Sequence, residues 1–399
     1  MELFLDGVTL FDGRTLRSNC GVLISEDRIE WVGPRGRAPK AAAAAHTEPG
    51  EGRTLTPGLI DCHVHLTFDG TPDFAGEAAD LTPALATIKA VNNAARQLAH
   101  GVTTVRDLGG PYNVVPDLAK AISAGLVPGP RTLAAGHALT VTGGHGHNVA
   151  FAREVDGPEA LRKAVREEIR AGATAIKLVA TGGVLTPGIG LEFTAFDVDE
   201  LRAAVEEAHK WGRVVAAHSI GYDGTAGAVE AGVDSIEHGA LIDAATAKRM
   251  KEAGTFTVPT LSALLGIATH PESVPAYAVD KARSVVDQAQ ESFRRVMRAG
   301  VRVALGTDAG TPHNPHGNAP HEIVRMVEWG MTPLKAMRAA TSAAAKLLRI
   351  DDRVGSIAPG MLADIAVYEG EPLEEVTTIL QPALVLQAGR VVAGELGRG

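Results

Sequence analysis

The sequence predicts an α/β protein, a (β/α)8 barrel with a small β-domain, and two observations point to this class. Eight short β-runs between residues 58 and 352 alternate with helical patterns. This alternation is typical of parallel βαβ units, and eight strands are what such a barrel needs. The two ends of the chain, residues 1–57 and 353–399, are instead rich in glycine and turns. We expect these ends to pair into one small β-domain.

The candidate barrel strands are short apolar runs. They are Leu59–Leu66, Val102–Asp107, Arg131–Gly136, Ala175–Val179, Val214–His218, Val233–His238, Thr255–Thr260 and Val301–Thr307. An amphipathic helix is predicted over Pro158–Gly172, where Leu161, Val165 and Ile169 recur every fourth residue. Pro158 suits the first helical position and Gly172 the C-terminal cap.

The terminal segments carry their own short β-runs. They are Gly21–Ser25, Ile29–Val32, Ile365–Tyr368 and Leu384–Gln387. The alanine run Ala41–Ala45 is low in complexity, and we expect it to be a loose surface connection.

Composition and charge exclude several classes of protein. The 399 residues are 45% hydrophobic and 21% charged, as in an ordinary globular protein. The formal net charge is −9 without a basic cluster, so nucleic acid and anionic membranes are not expected partners. No apolar run approaches the ~20 residues that cross a bilayer. With only Cys20 and Cys62 and no basic-then-apolar N-terminus, we expect a cytoplasmic protein.

Two histidines at the end of the first barrel run suggest a metal site. In Asp61-Cys62-His63-Val64-His65 the alternation of a strand places His63 and His65 on one face. Two imidazoles at the C-terminal end of a barrel strand can hold one metal ion or can simply be hydrogen-bonded histidines. Asp61 shares their face, and we expect it to orient a ligand imidazole.

Further polar residues stand where other apolar runs stop. They are His218, His238 and Asp308. In a barrel this position is the catalytic rim, and imidazole and carboxylate are the usual zinc ligands. Four histidines and one aspartate at four strand ends therefore favour a metal centre. Glu237, next to His238, is expected to point the other way and to be structural.

Lys177 lies inside the apolar run Ala175–Val179, where an unpaired ammonium is unfavourable. The amine can lose its proton, since burial lowers a lysine pKa, or its head can reach solvent or a neighbouring acid. The neutral amine can also react with carbon dioxide to give a carbamate that bridges two metal ions. The five candidate ligands on the same rim favour the carbamate.

Together these residues resemble the metal-dependent amidohydrolase superfamily. The matching segments follow that family's order over nearly the whole chain: Pro57–His65, Lys177, His218, Ile236–Gly239, Gly306–Asp308, Gly355–Ile357 and Gly360–Asp364. Thr142–His147 and Ala180–Val184 resemble the branch of Xaa-Pro and Xaa-Arg/Lys dipeptidases, often labelled imidazolonepropionase-like. The resemblance implies a distorted TIM barrel with a small β-sandwich formed by both termini, and a homo-oligomer.

The resemblance also implies a centre of two divalent ions, expected to be zinc. His63, His65 and Asp308 would bind the more buried ion, and His218 and His238 the more exposed one. Carboxylated Lys177 would bridge them. The binuclear pattern and Gly221, where mononuclear deaminases typically carry a glutamate, count against deamination.

We expect hydrolysis of an amide bond in a small-molecule substrate, most simply a dipeptide or an N-acyl amino acid. Asp308 would act as general base and acid, and His145 or Tyr222 would help polarise the carbonyl. Hydrolysis of cyclic amides, carbamates or organophosphate esters is the alternative, and a metal-free scaffold protein is a second one. The remaining loop histidines, without assigned roles, are His137, His147, His313 and His316. Residues 310–320 are a candidate lid.

Overall fold

The computed structural model describes residues 2–149 and 151–396, so Met1 and residues 397–399 of the predicted terminal domain lie outside the described residues. The strands are β1 (Glu2–Phe11), β2 (Leu16–Ser25), β3 (Arg28–Pro34), β4 (His46–Pro49), β5 (Arg53–Pro57), β6 (Leu59–Val64), β7 (Val102–Asp107), β8 (Arg131–Ala134), β9 (Ala138–Thr140), β10 (Ala152–Glu154), β11 (Ala175–Val179), β12 (Val214–Ser219), β13 (Ser235–His238), β14 (Phe256–Val258), β15 (Arg302–Val303), β16 (Ile365–Glu369), β17 (Leu384–Gln387) and β18 (Arg390–Gly394).

The α-helices are α1 (Phe74–Asp80), α2 (Pro83–Ala99), α3 (Val114–Ser123), α4 (Pro158–Ala171), α5 (Val198–Lys210), α6 (Tyr222–Ala231), α7 (Ala244–Ala253), α8 (Leu261–Ala268), α9 (Ala276–Ala299), α10 (Ala319–Glu328), α11 (Pro333–Ala339) and α12 (Ser342–Leu347). Short 3₁₀ helices cover Arg35–Arg37, Lys40–Ala43, Pro111–Asn113 and Val376–Leu380.

Strands from both ends of the chain form one eight-stranded sheet, in the order β18-β17-β16-β5-β1-β2-β3 with β4 paired to β1. Strand β5 joins the two ends, because it runs parallel to β1 and antiparallel to β16. Leu3, Leu5 and Val22 pack on one face of this sheet. The alternate residues Phe4 and Leu23 pack on the other face, so the sheet is covered on both sides.

The alanine run is only partly the loose connection that its composition predicted. Lys40–Ala43 form a 3₁₀ helix, and Ala42 is buried against Phe4 and Leu23. The small alanine side chain lets this segment approach the sheet closely enough to cover that face.

The strands between the two terminal segments form two parallel sheets. One has the order β6-β7-β8, and the other has the order β10-β9-β11-β12-β13-β14-β15. The predicted runs Val102–Asp107 and Ala175–Val179 coincide with β7 and β11. Strands are thus found at all eight predicted places, and the α/β class with parallel strands is confirmed.

Backbone hydrogen bonds connect both edges of the three-stranded sheet to the seven-stranded sheet. On one side Thr174 N donates to Ala134 O at 2.8 Å, which joins the end of β8 to the start of β11. On the other side Cys62 N donates to Leu305 O at 2.9 Å, and Asp308 N donates to His63 O at 2.7 Å. The chain after β15 therefore lies along β6.

The last predicted strand, Val301–Thr307, is mostly irregular, since only Arg302–Val303 form a strand. At the end of this run, a side chain is the hydrogen-bond partner of the backbone. Asp61 Oδ1 accepts from Thr307 N at 3.0 Å, and Asp61 Oδ2 accepts from the Thr307 hydroxyl at 2.6 Å. Asp61 also accepts from His63 N at 3.2 Å, so it fixes two backbones and does not orient an imidazole as expected.

The predicted helix over Pro158–Gly172 is confirmed as α4. Leu161 and Val165 are buried on its inner side. Gly172 ends the helix at a φ of +113°, a conformation in which a side chain would be strained. Among the described residues no helix is both long and apolar enough to span a bilayer.

Asp61→Ala should lower the free energy of unfolding by about 2–4 kcal/mol, because it leaves the buried N–H groups of His63 and Thr307 without an acceptor. Asp61→Asn keeps an acceptor and should lower the free energy of unfolding by only about 1 kcal/mol. Denaturant unfolding measures both, with the exposed Asp352→Ala as control. Equal stability of Asp61→Ala and the control would refute this role of Asp61.

Candidate metal centre and active site

Three of the predicted ligands meet at the C-terminal end of β6. His63, His65 and Asp308 each offer a ligand atom, and these atoms lie within 4.8 Å of one another. Asp308 Oδ1 is 3.3 Å from His63 Nε2 and 3.1 Å from His65 Nε2. Two buried imidazoles and one carboxylate around a common point form a set that can hold a metal ion.

Hydrogen bonds on the far ring nitrogens orient both imidazoles. His63 Nδ1 donates to Glu237 Oε2 at 2.9 Å, and His65 Nδ1 donates to the carbonyl of Gly109 at 2.8 Å. A neutral imidazole that donates through Nδ1 has its lone pair on Nε2. Both lone pairs therefore point toward Asp308. Metal-binding histidines are typically oriented in this way, by a hydrogen bond from the ring nitrogen that does not bind the metal.

The electrostatics of this group favour a cation. Burial raises the pKa of Asp308, but the adjacent His63 and His65 outweigh burial and hold this pKa below its usual value. Burial lowers the pKa of His65, yet the hydrogen bond and charge of Asp308 raise it overall. Asp308 is thus ionised and attracts positive charge, and the charge that favours a proton on His65 would also favour a divalent ion beside its Nε2.

The other predicted ligands complete one buried cluster. The ring centroids of His63 and His238 are 5.2 Å apart, and those of His238 and His218 are 4.6 Å apart. His218 Nε2 donates to Gly182 O at 3.0 Å, which leaves its Nδ1 lone pair free. Burial holds the pKa of His218 and of His238 well below the usual histidine value, so both rings are neutral and able to bind a metal.

Lys177 points into the same cluster. Its side chain is 2% exposed, and its Nζ lies 3.4 Å from His63 Nε2. Burial lowers the pKa of Lys177 to about 8, against the opposing charges of Glu237 and Asp308. The prediction of a buried lysine on this rim is confirmed, and its amine is far easier to deprotonate than an exposed one.

Beneath His63, a buried ion pair holds the cluster in place. Arg106 and Glu237 are both 0% exposed, and Arg106 Nη2 donates to Glu237 Oε1 at 2.8 Å. Arg106 Nε also donates to the carbonyl of Cys62 at 2.7 Å, and Ser235 contacts both members of the pair. Glu237 thereby keeps one oxygen for Arg106 and the other for His63.

The expected orientation of Glu237 is wrong. Strand alternation was expected to turn Glu237 away from the site, but His238 has a φ of +69° and does not follow the strand pattern. Ser235 and Glu237 therefore face Arg106 and His63, while the left-handed backbone at His238 returns its ring to the same side. Thr260, whose hydroxyl lies 2.7 Å from His238 Nδ1, fixes that ring.

An apolar cavity opens beside the cluster. It holds about 1410 Å³, including the part open to solvent. The cluster residues His63, His65, Lys177, His218, His238 and Asp308 form one wall. The apolar lining comes mainly from the segments around α1, the loop after β11, and helices α8 and α9: Phe74, Val184, Leu185, Leu261, Leu264, Ile267, Tyr277 and Phe293.

His145 also lines this cavity, as expected of a substrate contact. Its ring centroid lies 4.6 Å from that of His218, and its Nδ1 lies 2.7 Å from the Thr186 hydroxyl. Burial lowers the pKa of His145 to about 3, so the ring is neutral. The catalytic role assigned to His145 stays a prediction.

Tyr222 is not among the residues that line the cavity. Its side chain is 41% exposed at the start of α6, and its backbone N–H donates to Glu192. Tyr277 of α9 is a tyrosine that does line the cavity. The suggested role of Tyr222 in polarising a carbonyl stays a prediction that this placement does not support.

The other loop histidines lie elsewhere. His137 faces Glu168, and His147 lies exposed with its Nδ1 on the carbonyl of Gly144. His313 stacks on His270. His316 is buried and donates to the carbonyl of Phe68, so much of the 310–320 segment packs inside the fold and is not the expected lid.

The sequence reasoning missed Arg106 as well as Glu237. Arg106 lies in β7, whose residues are all buried, so an unpaired charge is as unfavourable there as at Lys177 and indicates a buried partner. Thr260 contacts His238, and Thr186 contacts His145. Thr260 ends the predicted run Thr255–Thr260, so its place at the rim was a signal in the sequence, whereas Thr186 lies in a loop and carries none.

Comparison with known proteins agrees with this geometry. Residues 54–392 match the amidohydrolase family. Ochratoxinase from Aspergillus niger is 34% identical in an alignment that covers 97% of this chain and 84% of that protein. A crystal structure of an Xaa-Pro dipeptidase with methionine bound in its active site has a TM-score of 0.90 at 32% identity, covering 99% of this chain and 100% of the dipeptidase.

A prolidase crystallised with N-methylphosphonate-L-proline is similarly close, with a TM-score of 0.89 and 34% identity. The match covers 99% of this chain and 100% of the prolidase chain. The fold and the polar cluster define a hydrolase of carbon–nitrogen bonds. The chain belongs to the amidohydrolase family.

Glu237→Gln should weaken metal binding about 10–100-fold. The glutamine can keep its carbonyl on Arg106 only by turning its amide N–H toward His63 Nδ1. That ring would then carry its proton on Nε2 and lose the lone pair that faces Asp308. Competition with a chelator measures the dissociation constant. Glu207→Gln, a buried glutamate away from the cluster, is the control, and equal affinities in the two variants would contradict the argument.

Proposed function

We propose that this protein is a binuclear metal-dependent amidohydrolase that cleaves the amide bond of a dipeptide or an N-acyl amino acid. The observation that carries the proposal is the cluster of His63, His65, Lys177, His218, His238 and Asp308 beside an apolar cavity, in which all but the partly buried His238 are buried. The ochratoxinase and the prolidase named above, each more than 30% identical to this chain, support amide hydrolysis.

The donor set fits two divalent ions, for which we propose zinc. His63, His65 and Asp308 would hold one ion, and His218 and His238 the other, with carboxylated Lys177 between them. The ring tautomers support this assignment, because the hydrogen bonds of His63, His65 and His218 leave one lone pair on each ring for a cation. When bound, such ions lower the pKa of a coordinated water toward ~7 and so supply hydroxide near neutral pH.

Lys177 is suited to carboxylation. With a pKa of about 8, roughly a tenth of its amine is neutral at pH 7, whereas an ordinary lysine is almost entirely protonated. The neutral amine is the form that attacks carbon dioxide. The proton it releases can pass to solvent, and the resulting carbamate is an anion among neutral imidazoles.

Asp308 is placed to move the proton of the reaction. Its carboxylate is ionised, because His63 and His65 keep its pKa low. We assign it the transfer of a proton from the attacking water to the leaving nitrogen. His145, neutral and at the cavity wall, would donate to the scissile carbonyl if its proton is on Nε2.

The cavity lining indicates which substrates fit. The lining is mainly apolar, and Asp73 at the mouth is its only carboxylate besides Asp308 among the described residues. A positively charged side chain would find little compensation there, since burying an unpaired charge is costly. We therefore favour apolar substrates, such as Xaa-Pro or aromatic amides, over Xaa-Arg and Xaa-Lys dipeptides.

For the architecture we propose that residues 58–352 close into a distorted (β/α)8 barrel. The hydrogen bonds that join both edges of the three-stranded sheet to the seven-stranded sheet support closure. We also propose that residues 1–57 and 353–399 form a β-sandwich domain, which the packing on both faces of the terminal sheet supports. The homo-oligomeric state and the cytoplasmic location stay predictions.

A substrate screen tests the proposed activity directly. The zinc- and bicarbonate-treated protein should hydrolyse apolar Xaa-Pro dipeptides or N-acyl amino acids faster than Xaa-Arg or Xaa-Lys dipeptides. Preferred turnover of cyclic amides, carbamates or phosphate esters would select the alternative activity. Failure to bind any divalent metal would favour the scaffold interpretation.

Asp308→Asn should lower kcat about 10²–10⁴-fold with a small change in KM, because it removes the proton carrier while keeping a side chain of the same shape. Steady-state kinetics with metal analysis of the same sample measure this. Asp73→Asn, a carboxylate at the cavity mouth, is the matched control. A metal-loaded Asp308→Asn enzyme with near-normal kcat would rule out the assigned role.

Lysine carboxylation should be visible with ¹³C-labelled bicarbonate. The metal-loaded protein should show one carbamate carbon signal by ¹³C NMR. At fixed dissolved carbon dioxide, loading of the apoprotein should rise from pH 6 to pH 9, because deprotonation of the amine near pH 8 produces the reactive form. Lys177→Met should lose the signal and bind fewer metal ions, whereas the exposed Lys210→Met should not. A persistent signal in Lys177→Met would refute the assignment.

A further inference from the structure

A lysine of α9 holds the loop that follows β11. Lys281 Nζ donates to three backbone carbonyls, those of Gly183 at 3.2 Å, Thr186 at 2.6 Å and Ile189 at 2.7 Å. An ammonium has three N–H donors, so these bonds use all of them. The ammonium therefore serves as the centre around which residues 182–190, called here the clamped loop, are folded.

Tyr277, one helical turn before Lys281, makes a fourth contact of the same kind. Its hydroxyl donates to the carbonyl of Leu185 at 3.0 Å. Residues four apart lie on the same side of a helix, so α9 presents both donors to the clamped loop. Together they bind four carbonyls within seven residues of chain.

The clamped loop in turn fixes His145. The Thr186 hydroxyl lies 2.7 Å from His145 Nδ1 and accepts from Gly146 N at 2.9 Å. Gly183 lies against the other side of the ring, where a Cβ would come within 2.3 Å of His145 Nε2. The ring of His145 is thus held between Thr186 and Gly183, two of the three residues whose carbonyls bind Lys281.

The clamped loop also shapes the cavity. Val184 and Leu185 are part of the apolar lining, and Tyr277 contributes its ring to the same wall. The Tyr277–Leu185 bond therefore joins two lining residues from different elements, while the Lys281 bonds fix the part of the loop that contacts His145.

We propose that Lys281 is a positioning residue that acts on His145 through Thr186 and Gly183, and that Tyr277 determines specificity through its bond to Leu185. This inference rests on the proposed amide hydrolysis, in which His145 faces the scissile carbonyl. Removal of the ammonium leaves three carbonyls without their donor, so the loop and His145 lose their fixed geometry. Small misplacements of groups at a reacting centre can lower rates by up to about 100-fold.

The test uses the metal-loaded protein, four single variants and a Thr186→Val background. Lys281→Met keeps the length of the side chain without its donors, and Lys281→Arg restores several donors. Tyr277→Phe keeps the ring but removes the bond to Leu185. Arg298→Met, an exposed residue of the same helix paired with Glu291, is the control.

The kinetic signature separates positioning from a general loss of stability. Lys281→Met should lower kcat about 10–100-fold with a smaller change in KM, and Lys281→Arg should recover part of kcat. Tyr277→Phe should raise KM for apolar substrates severalfold with little change in kcat. In a Thr186→Val background, Lys281→Met should lower kcat by a much smaller factor than in the wild-type protein, because both changes act through His145.

Hydrogen exchange provides a readout that needs no substrate. Lys281→Met should speed exchange of backbone amides in residues 182–190 and in residues 142–149, which carry His145, at unchanged metal content. If neither the wild type nor any variant hydrolyses amides, the proposed activity is refuted. Hydrogen exchange then still tests the role of Lys281, because it needs no substrate. The role of Lys281 would be overturned by unchanged hydrogen exchange in both segments. It would also be overturned if the effects of Lys281→Met and Thr186→Val on kcat were additive.

Discussion

The ion pair between Arg106 and Glu237 is the contact on which the rest of the site depends. Removing two charges from water is costly, and such a pair persists only when further hydrogen bonds satisfy both groups. Here Cys62 and Ser235 supply those bonds. Because the partners lie on β6, β7 and β13, the pair connects the three-stranded sheet to the seven-stranded sheet across the interior. It also holds the His63 ring in the tautomer that can bind a metal.

Three site residues depart from ordinary backbone geometry, and their positions explain why. His238, Thr260 and Asp308 have φ values of +69°, +48° and +59°. A residue other than glycine in this region is strained, and the surrounding contacts must hold it there. Thr260 holds His238 through its hydroxyl, and the neighbouring Thr307 is bound to Asp61. The left-handed backbone turns side chains after the strands toward one point, whereas successive side chains of a regular strand point to opposite faces.

These departures also explain how far the sequence could predict the structure. The strand runs, the helix ending at Gly172 and the meeting of His63, His65, Lys177 and Asp308 follow from local patterns, since apolar runs and alternation are properties of short segments. The orientation of Glu237 could not be predicted, because alternation fails where the backbone of His238 turns left-handed. The role of Asp61 was also missed, since its partner Thr307 is distant in sequence and forms no regular strand.

The separation between the polar cluster and the apolar wall has a consequence for divergence within such enzymes. The strands and the residues that follow them carry the cluster, whereas α8, α9 and the loop after β11 carry most of the wall. Side chains such as Leu264, Ile267 and Phe293 can therefore be exchanged without disturbing the nitrogen and oxygen atoms of the cluster. A lineage with this architecture can acquire new selectivity by mutation of two helices while its reaction chemistry stays the same.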